Sequence, residues 1–526
     1  MKLAAQGLIL LFLSGSVIAQ SVSPFPPQIT HVVVIFQENR TPDNLFHFLS
    51  PLCPLNGTGL NACIPTVSTS CYNVSTCGLS NASGTPVPIT LTATGLAGTA
   101  DPGHSHQNFE DMCDPDPITL KCRNDGAWHI LPNNGSYAYV DNPTVAYNNA
   151  YGMGTTTALG PYLAFAQQYG WANFMYQTNQ GPSYPAHQYI FSATSAMTAA
   201  DDAAAKFVAE NFRTTDSSKT KAGCLATPTV AYNKIVSPNP SGVCPSGCTC
   251  YDNNTVKECM VTNNAQGTTF CYGHDSVATL LPPIATGPSW RYYTPSQGSI
   301  WTAPDSFSAL CNPIQGGLCT GSAFSGLDPN VVIPERQVLT DIRDNCKLAP
   351  VTWIIPDDRW SDHAGGMQDG TGPSWVAAIV NTIGGFQNTC GFWQNTAIIV
   401  TWDDWGGWSD NQPAKLLTLP CTPTNDCQGD YQYGFRVPLM VISAYTPEKY
   451  INNAPHDFGS IVRMIESING IAEGQLNFAD ARAITDLHAF FTLTTPRPFV
   501  VVPAVKDPNY FINFTGAAIA PDDDDP

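Results

Sequence analysis

The sequence predicts an α/β fold: a layered α/β/α sandwich around a mostly parallel central sheet. Three observations carry this reading. Ile29–Phe36 (ITHVVVIF), Val351–Ile355 (VTWII) and Ala397–Trp402 (AIIVTW) are continuously apolar runs, the pattern of strands buried on both faces. Helix-period segments alternate with such runs along the chain, as layered α/β domains require. Polar residues follow each run at once: Glu38-Asn39 after the first, Asp357-Asp358 beyond Pro356 after the second, and Asp403-Asp404 after the third. Acids at the carboxyl ends of parallel strands gather on one sheet edge, where open α/β sheets bind ligands. Clustered carboxylates repel one another unless a cation neutralises them, so the chain reads as a metal-dependent enzyme.

The elements follow in order. Lys2, the apolar stretch Leu8–Ile18 and the small residues before Ala19-Gln20 form a secretory signal peptide pattern, with 1–19 removed. The run is too short to span a bilayer comfortably, so the mature chain is expected to be exported, extracellular or periplasmic, without a stable membrane anchor. Residues 51–100, rich in Ser, Thr, Gly, Asn and Cys, read as a disulfide-pinned excursion. Thr157–Tyr169 is helical, with Gly160-Pro161 as its start or a kink. A second cysteine-, glycine- and proline-rich excursion covers 200–329. Ser374–Ile383 is a helix stopped by Gly384-Gly385, Val437–Ser443 a further strand, and Asp457–Asn469 an amphipathic helix ending at Gly470. One large α/β domain over 20–500, interrupted by the two insertions and followed by a 501–526 tail, accounts for this distribution.

Eighteen cysteines in an exported chain argue for disulfides. The local groups include Cys113 with Cys122, Cys346 with Cys390, Cys421 with Cys427, and eight cysteines between Cys224 and Cys319. Cys244, Cys248 and Cys250 are the one set that could instead serve as thiolate ligands. A net charge of −19 with only 22 Lys and Arg excludes the basic footprint that nucleic acid needs.

The chemistry-bearing candidates are few. Glu38 and Asn39 offer an anionic and a neutral oxygen at one strand end, suited to a divalent cation or a phosphoryl group; the alternative for Asn39 is a helix N-cap. Asp403 and Asp404 can both face one site only if the backbone bends, and Gly406-Gly407 permit that bend. Ser183 follows Gly181-Pro182 at a helix start. It serves equally as an N-cap or as a nucleophile beside helix N-terminal amides. His104, His106, His363 and His456 lie near glycine-rich turns and acids, as proton donors or ligands do, whereas His31 sits inside a strand. Sequons occur at Asn56, Asn73 and Asn81, and Asn39 fits the pattern too. There is no G-x-S-x-G elbow and no H-E-x-x-H, which argues against an α/β-hydrolase and a zincin.

Taken in order, these segments resemble the bacterial phosphoesterase family, which includes secreted phospholipases C and an acid phosphatase type. HVVVIFQENRTPDNLF resembles its opening signature, DPGHSH its Asp-x-x-His-Ser element, and GPSYPAHQYIFSAT its nucleophile segment. SDHAGG, NTAIIVTWDDWGGWSDN, YGFRVPLMVIS and HDFGSIVRMIE resemble its later blocks, so the likeness spans Ile29 to Ile471. The resemblance implies an alkaline-phosphatase-like sandwich hydrolysing phosphate esters through a phosphoseryl intermediate. Carried over by position, it makes Ser183 the nucleophile, and His363 and His104 (with His106 as the alternative) phosphate contacts or proton donors. Glu38, Asn39, Asp403 and Asp404 become the site of a divalent metal: calcium, magnesium, manganese or zinc. Two departures stand out. Asn411 replaces a common His, and Arg40-Thr41-Pro42-Asp43-Asn44 stands where Arg-Ser-Phe-Asp-His is usual. With the sequence ending near residue 526, the further C-terminal β-domains of the larger phospholipases C are expected to be absent. That favours an acid-phosphatase-like substrate over a phospholipid, with a phosphatidylcholine-cleaving phospholipase C or an inactive exported binding protein as the rivals.

Overall fold

In the computed structural model, residues 23–52, 71–80, 87–97, 101–114, 122–127, 130, 137–204, 206–213, 221–226, 230–237, 249–253, 256–262, 271–414 and 433–520 are described. The signal peptide, Cys244, Cys248, Cys421 and Cys427, and the sequons at Asn56 and Asn81 lie outside them.

Eight strands form the central sheet: β1 (His31–Gln37), β2 (Gly170–Ala172), β3 (Trp290–Tyr293), β4 (Val331–Val332), β5 (Val351–Ile354), β6 (Thr396–Trp402), β7 (Leu439–Ser443) and β8 (Tyr450–Asn452). Their order is β4-β3-β5-β1-β6-β7-β2-β8. Every adjacent pair is parallel except those on either side of β7, which runs against both β6 and β2. The central strands are almost wholly buried: Val32–Ile35 and Ala397–Val400 have no exposed surface. β-Branched residues pack well on such pleated, doubly covered surfaces, which is why the apolar runs became strands. The span 200–329 is not separate from this core, because it supplies β3. It also carries a four-stranded antiparallel sheet of Val208–Arg213, Val230–Ser237, Thr249–Asn253 and Val256–Thr262.

The main helices are α1 (Pro42–Leu45), α2 (His106–Cys113), α3 (Gly160–Gln168), α4 (Ser183–Ser192), α5 (Gly372–Ile383) and α6 (Phe458–Ile468). The expected punctuation holds. Pro161 opens α3, Gly385 (φ 96°) follows the end of α5, and Gly470 (φ 71°) lies just past α6. Thr157, expected in α3, instead ends the strand Gly152–Thr157. Helix α6 begins at an Asp457 capping box, one residue beyond His456. Residues 501–520 return to the main body, and Phe511 packs edge-on against Trp360 and Trp375. Cysteine pairs 113–122, 224–271, 311–319 and 346–390 lie at disulfide distance. Among the described residues, no helix is long and apolar enough to cross a membrane.

Candidate active site

Register brings the first site residues together. In the β1–β6 ladder Gln37 stands opposite Trp402, so Glu38 and Asp403 leave the sheet at the same level. The Asp403 N–H donates to the Gln37 carbonyl at 3.0 Å, and the Arg40 N–H to the Asp404 carbonyl at 3.0 Å. Both chains then turn sharply: Asn39 has φ 59°, Gly406 φ 60° and Gly407 φ 69°. The bend expected of the two glycines is therefore present. A Cβ on Gly406 would lie 2.7 Å from the Asn39 Cβ, so glycine is required both for the left-handed conformation and for the close approach. Asn39 is not a helix N-cap; Thr41 caps α1.

The turn aims polar atoms at one another. The Asn39 N–H donates to Asp403 Oδ1 at 3.0 Å, and the Asn39 amide meets His104 Nε2 at 3.0 Å. His104 Nδ1 lies 2.9 Å from the Pro102 carbonyl. One neutral tautomer satisfies both contacts: Nδ1–H donates to the carbonyl and Nε2 accepts from the amide. Ser183 is the first residue of α4 and caps nothing; the N-cap is Pro182. Its hydroxyl donates to Asp404 Oδ2 at 3.2 Å, while Asp404 Oδ1 accepts the Gly406 N–H at 2.7 Å. His363 Nδ1 donates to the Ala364 carbonyl at 2.7 Å. Its ring lies edge-on to His104, with centroids 6.0 Å apart. Thus Glu38, Asn39, His104, Ser183, His363, Asp403 and Asp404 form one connected group. All are buried, and His363, at 7% exposure, is the most accessible.

His187 belongs to the same group and was not foreseen. One helical turn beyond Ser183, it shares that residue's face of α4. Its Nε2 lies 3.4 Å from Glu38 Oε1 and 3.9 Å from Asp403 Oδ2. Glu38, His187 and Asp403 each offer a ligand atom within 4.8 Å of the others. Burial lowers the His187 pKa to about 4 against the pull of the Asp403 charge, so the ring is neutral. Burial also pushes Asp403 upward, but the Glu38 carboxyl, His187, the Ser183 hydroxyl and the Asn39 N–H together hold it below its ordinary value. Asn39 Oδ1 and both ring nitrogens of His187 are buried without a hydrogen-bond partner. Orphaned polar atoms beside converging carboxylates fit a divalent cation.

Other candidates are diverted. Asp357 follows β5 as Glu38 follows β1, but is claimed by Arg359, at 2.8 and 2.6 Å, and by the Ile519 N–H. Asp358 accepts the Met367 N–H at 3.0 Å. His106 Nδ1 meets the Gln180 carbonyl, with Nε2 3.9 Å from Glu110. The Asn411 side chain accepts from Arg436 at 2.5 Å, within a buried network that includes Asp43 and Asp410. Arg40 donates to the Asp362 carbonyl and to Asn44, and its guanidinium lies 5.0 Å from the Trp408 ring. Asn44 and Asn411, which depart from the pattern, are thus each held by a buried arginine. Asn39, with no exposed surface, cannot carry a glycan.

Fold and site together define an α/β protein with a buried acid–histidine–serine centre at the carboxyl edge of its sheet. The chain belongs to the Phosphoesterase family, whose profile matches residues 29–472. Among curated relatives, it is 24% identical over 226 residues to phospholipase C B of Mycobacterium tuberculosis, a match covering 40% of this chain and 42% of that protein. Phospholipase C A of the same organism is 25% identical over 169 residues, 30% of this chain and 32% of the relative. The non-hemolytic phospholipase C of Pseudomonas aeruginosa is 26% identical over 178 residues, 30% of this chain and 25% of the relative. The chain therefore aligns with less than half the length of each of these relatives.

Proposed function

We propose that this chain is an exported, divalent-metal-dependent phosphoesterase that cleaves phosphate esters through a phosphoseryl intermediate on an alkaline-phosphatase-like sandwich. The observation that carries the reading is the Ser183 hydroxyl bonded to Asp404 beside the Glu38–Asn39–Asp403 cluster. Family membership supports it. Glu38, Asn39, Asp403 and Asp404 would hold the cation. When bound, it would neutralise charge on the phosphoryl oxygens and lower the pKa of the serine hydroxyl.

The remaining steps belong to the side chains. Ser183 directs its proton toward Asp404, which leaves Oγ lone pairs to attack phosphorus as the bond to the leaving alcohol breaks. Carrying a proton on both ring nitrogens, His363 can give the Nε2 proton to that alcohol, because Nδ1 is held by the Ala364 carbonyl, no hydrogen bond engages Nε2, and it is the most accessible of the group. His104 orients Asn39. Water then attacks the phosphoserine, giving a proton back to His363 while Asp404 returns the serine proton to Oγ, so that phosphate is released and the hydroxyl is restored.

The acid-phosphatase-like reading takes soluble monoesters as substrate. The names of the relatives favour a second reading, a phospholipase C acting on choline phospholipids. Assaying the purified chain against an aryl phosphate monoester and phosphatidylcholine vesicles, each with and without chelator, tests both. Chelator-sensitive turnover of the monoester supports the first, and preferential release of phosphocholine supports the second. Absence of turnover on either substrate would leave a binding protein.

A further inference from the structure

We infer that His187 is a nitrogen ligand of the same metal site, and that it directs the site toward a borderline transition metal such as zinc rather than calcium or magnesium. This rests on the metal-dependent reading above and deepens it. Three observations point the same way. The first is position: Nε2 faces Glu38 Oε1 at 3.4 Å and Asp403 Oδ2 at 3.9 Å, so one atom placed between them would touch all three residues.

The second is lack of any other employment. The ring is buried, neither nitrogen has a hydrogen-bond partner, and its other neighbours are the rings of Phe36 (5.4 Å between centroids) and Trp301 (6.4 Å). A structural histidine in a core ordinarily bonds at least one nitrogen, because leaving both desolvated and unmade is costly. The other site histidines follow that rule: His104 and His363 each bond a backbone carbonyl through Nδ1.

The third is donor chemistry. Glu38, Asn39, Asp403 and Asp404 supply oxygen only, a set that hard calcium and magnesium accept. An imidazole adds a donor that those ions take poorly and that zinc and other first-row ions favour. The wedge between Phe36 and Trp301 fixes the ring, so the nitrogen is presented without reorganisation. Its place on α4, one turn from Ser183, also ties the metal to the nucleophile through a single rigid element.

The test uses the purified full chain, stripped with chelator and reloaded with manganese(II) alone. Pulsed electron paramagnetic resonance then looks for coupling to a directly bound ¹⁴N nucleus. The expected result is coupling in the wild type that disappears in His187→Gln, and a zinc-over-magnesium preference that falls about tenfold or more in the variant, since even residues that only support a ligand commonly contribute 10–100-fold to affinity. The wild-type spectrum stands by itself if the variant does not fold. Bound manganese without nitrogen coupling, or coupling that persists in His187→Gln, overturns the inference while leaving the metal-dependent reading intact. A wild-type chain that takes up no divalent cation overturns both.

Discussion

Replacing Ser183 with alanine removes one buried hydroxyl and one hydrogen bond, the 3.2 Å donation to Asp404. Asp404 keeps the Gly406 N–H, so its carboxylate is not abandoned. Losing one bond to a charged acceptor costs on the order of 1–3 kcal/mol. Unfolding entropy of about 2.1 cal/mol/K per residue gives ~1 kcal/mol per degree for a chain of roughly 500 residues, so Tm should fall by only about 1–3 °C. Turnover should behave differently. Removing a nucleophile that forms a covalent intermediate takes kcat down by about 10³-fold or more, because the residual rate comes from binding and electrostatics alone. The assay pairs steady-state hydrolysis of an aryl phosphate with a thermal melt of the same preparation. A parallel acid quench of the wild type, followed by peptide mass spectrometry, should find phosphate on Ser183. A variant that melts within those few degrees and retains more than a tenth of wild-type kcat would refute the nucleophile assignment.

Three further perturbations follow from the geometry. Asp403→Asn keeps the side-chain volume but removes a charge from the Glu38–His187–Asp403 cluster, so elemental analysis should show metal occupancy falling together with activity; unchanged occupancy would contradict a ligand role. Gly406→Ala places a Cβ 2.7 Å from the Asn39 Cβ at φ 60°. It should cost about 1–3 kcal/mol of stability and displace Asn39, read as a lower Tm with a greater loss in kcat than in KM; wild-type kinetics would show that the turn does not position the site. Glu335 is buried with Arg336 Nη1 3.9 Å from its Oε1, and burial and the nearby Asp357 charge raise its pKa to about 8 against the pull of Arg336. A raised folded-state pKa means that its contribution is fully present below the unfolded carboxyl value and is lost as pH rises through about 8. That loss is on the order of a few kcal/mol. Glu335→Gln should therefore flatten the decline of Tm between pH 5 and 8, and equal slopes for the two proteins would discount the buried acid.

The sequence by itself determined the mostly parallel central sheet and which acids reach its carboxyl edge, because both are local. Unbroken apolar runs such as Val32–Phe36 and Ala397–Trp402 can satisfy their side chains only inside a covered sheet. Acids one or two residues past such runs must sit on its carboxyl edge. The glycines after Asp404 announce a turn without any knowledge of neighbours. What the tertiary structure alone decided was which polar groups meet. Asp357-Asp358 and Asp403-Asp404 look alike in sequence, yet Arg359 and the returning segment at Ile519 claim the first pair. His104 and His106 differ by two residues, and packing turns one toward Asn39 and the other toward Gln180. Asn411, at a position of chemical interest by resemblance, is spent on Arg436. His187 left only the trace of its four-residue spacing from Ser183, since an imidazole's role depends on what faces it across the fold. Spacing along a chain fixes which residues share an element. Register between β1 and β6, and competition from buried guanidinium groups, fix which of them meet.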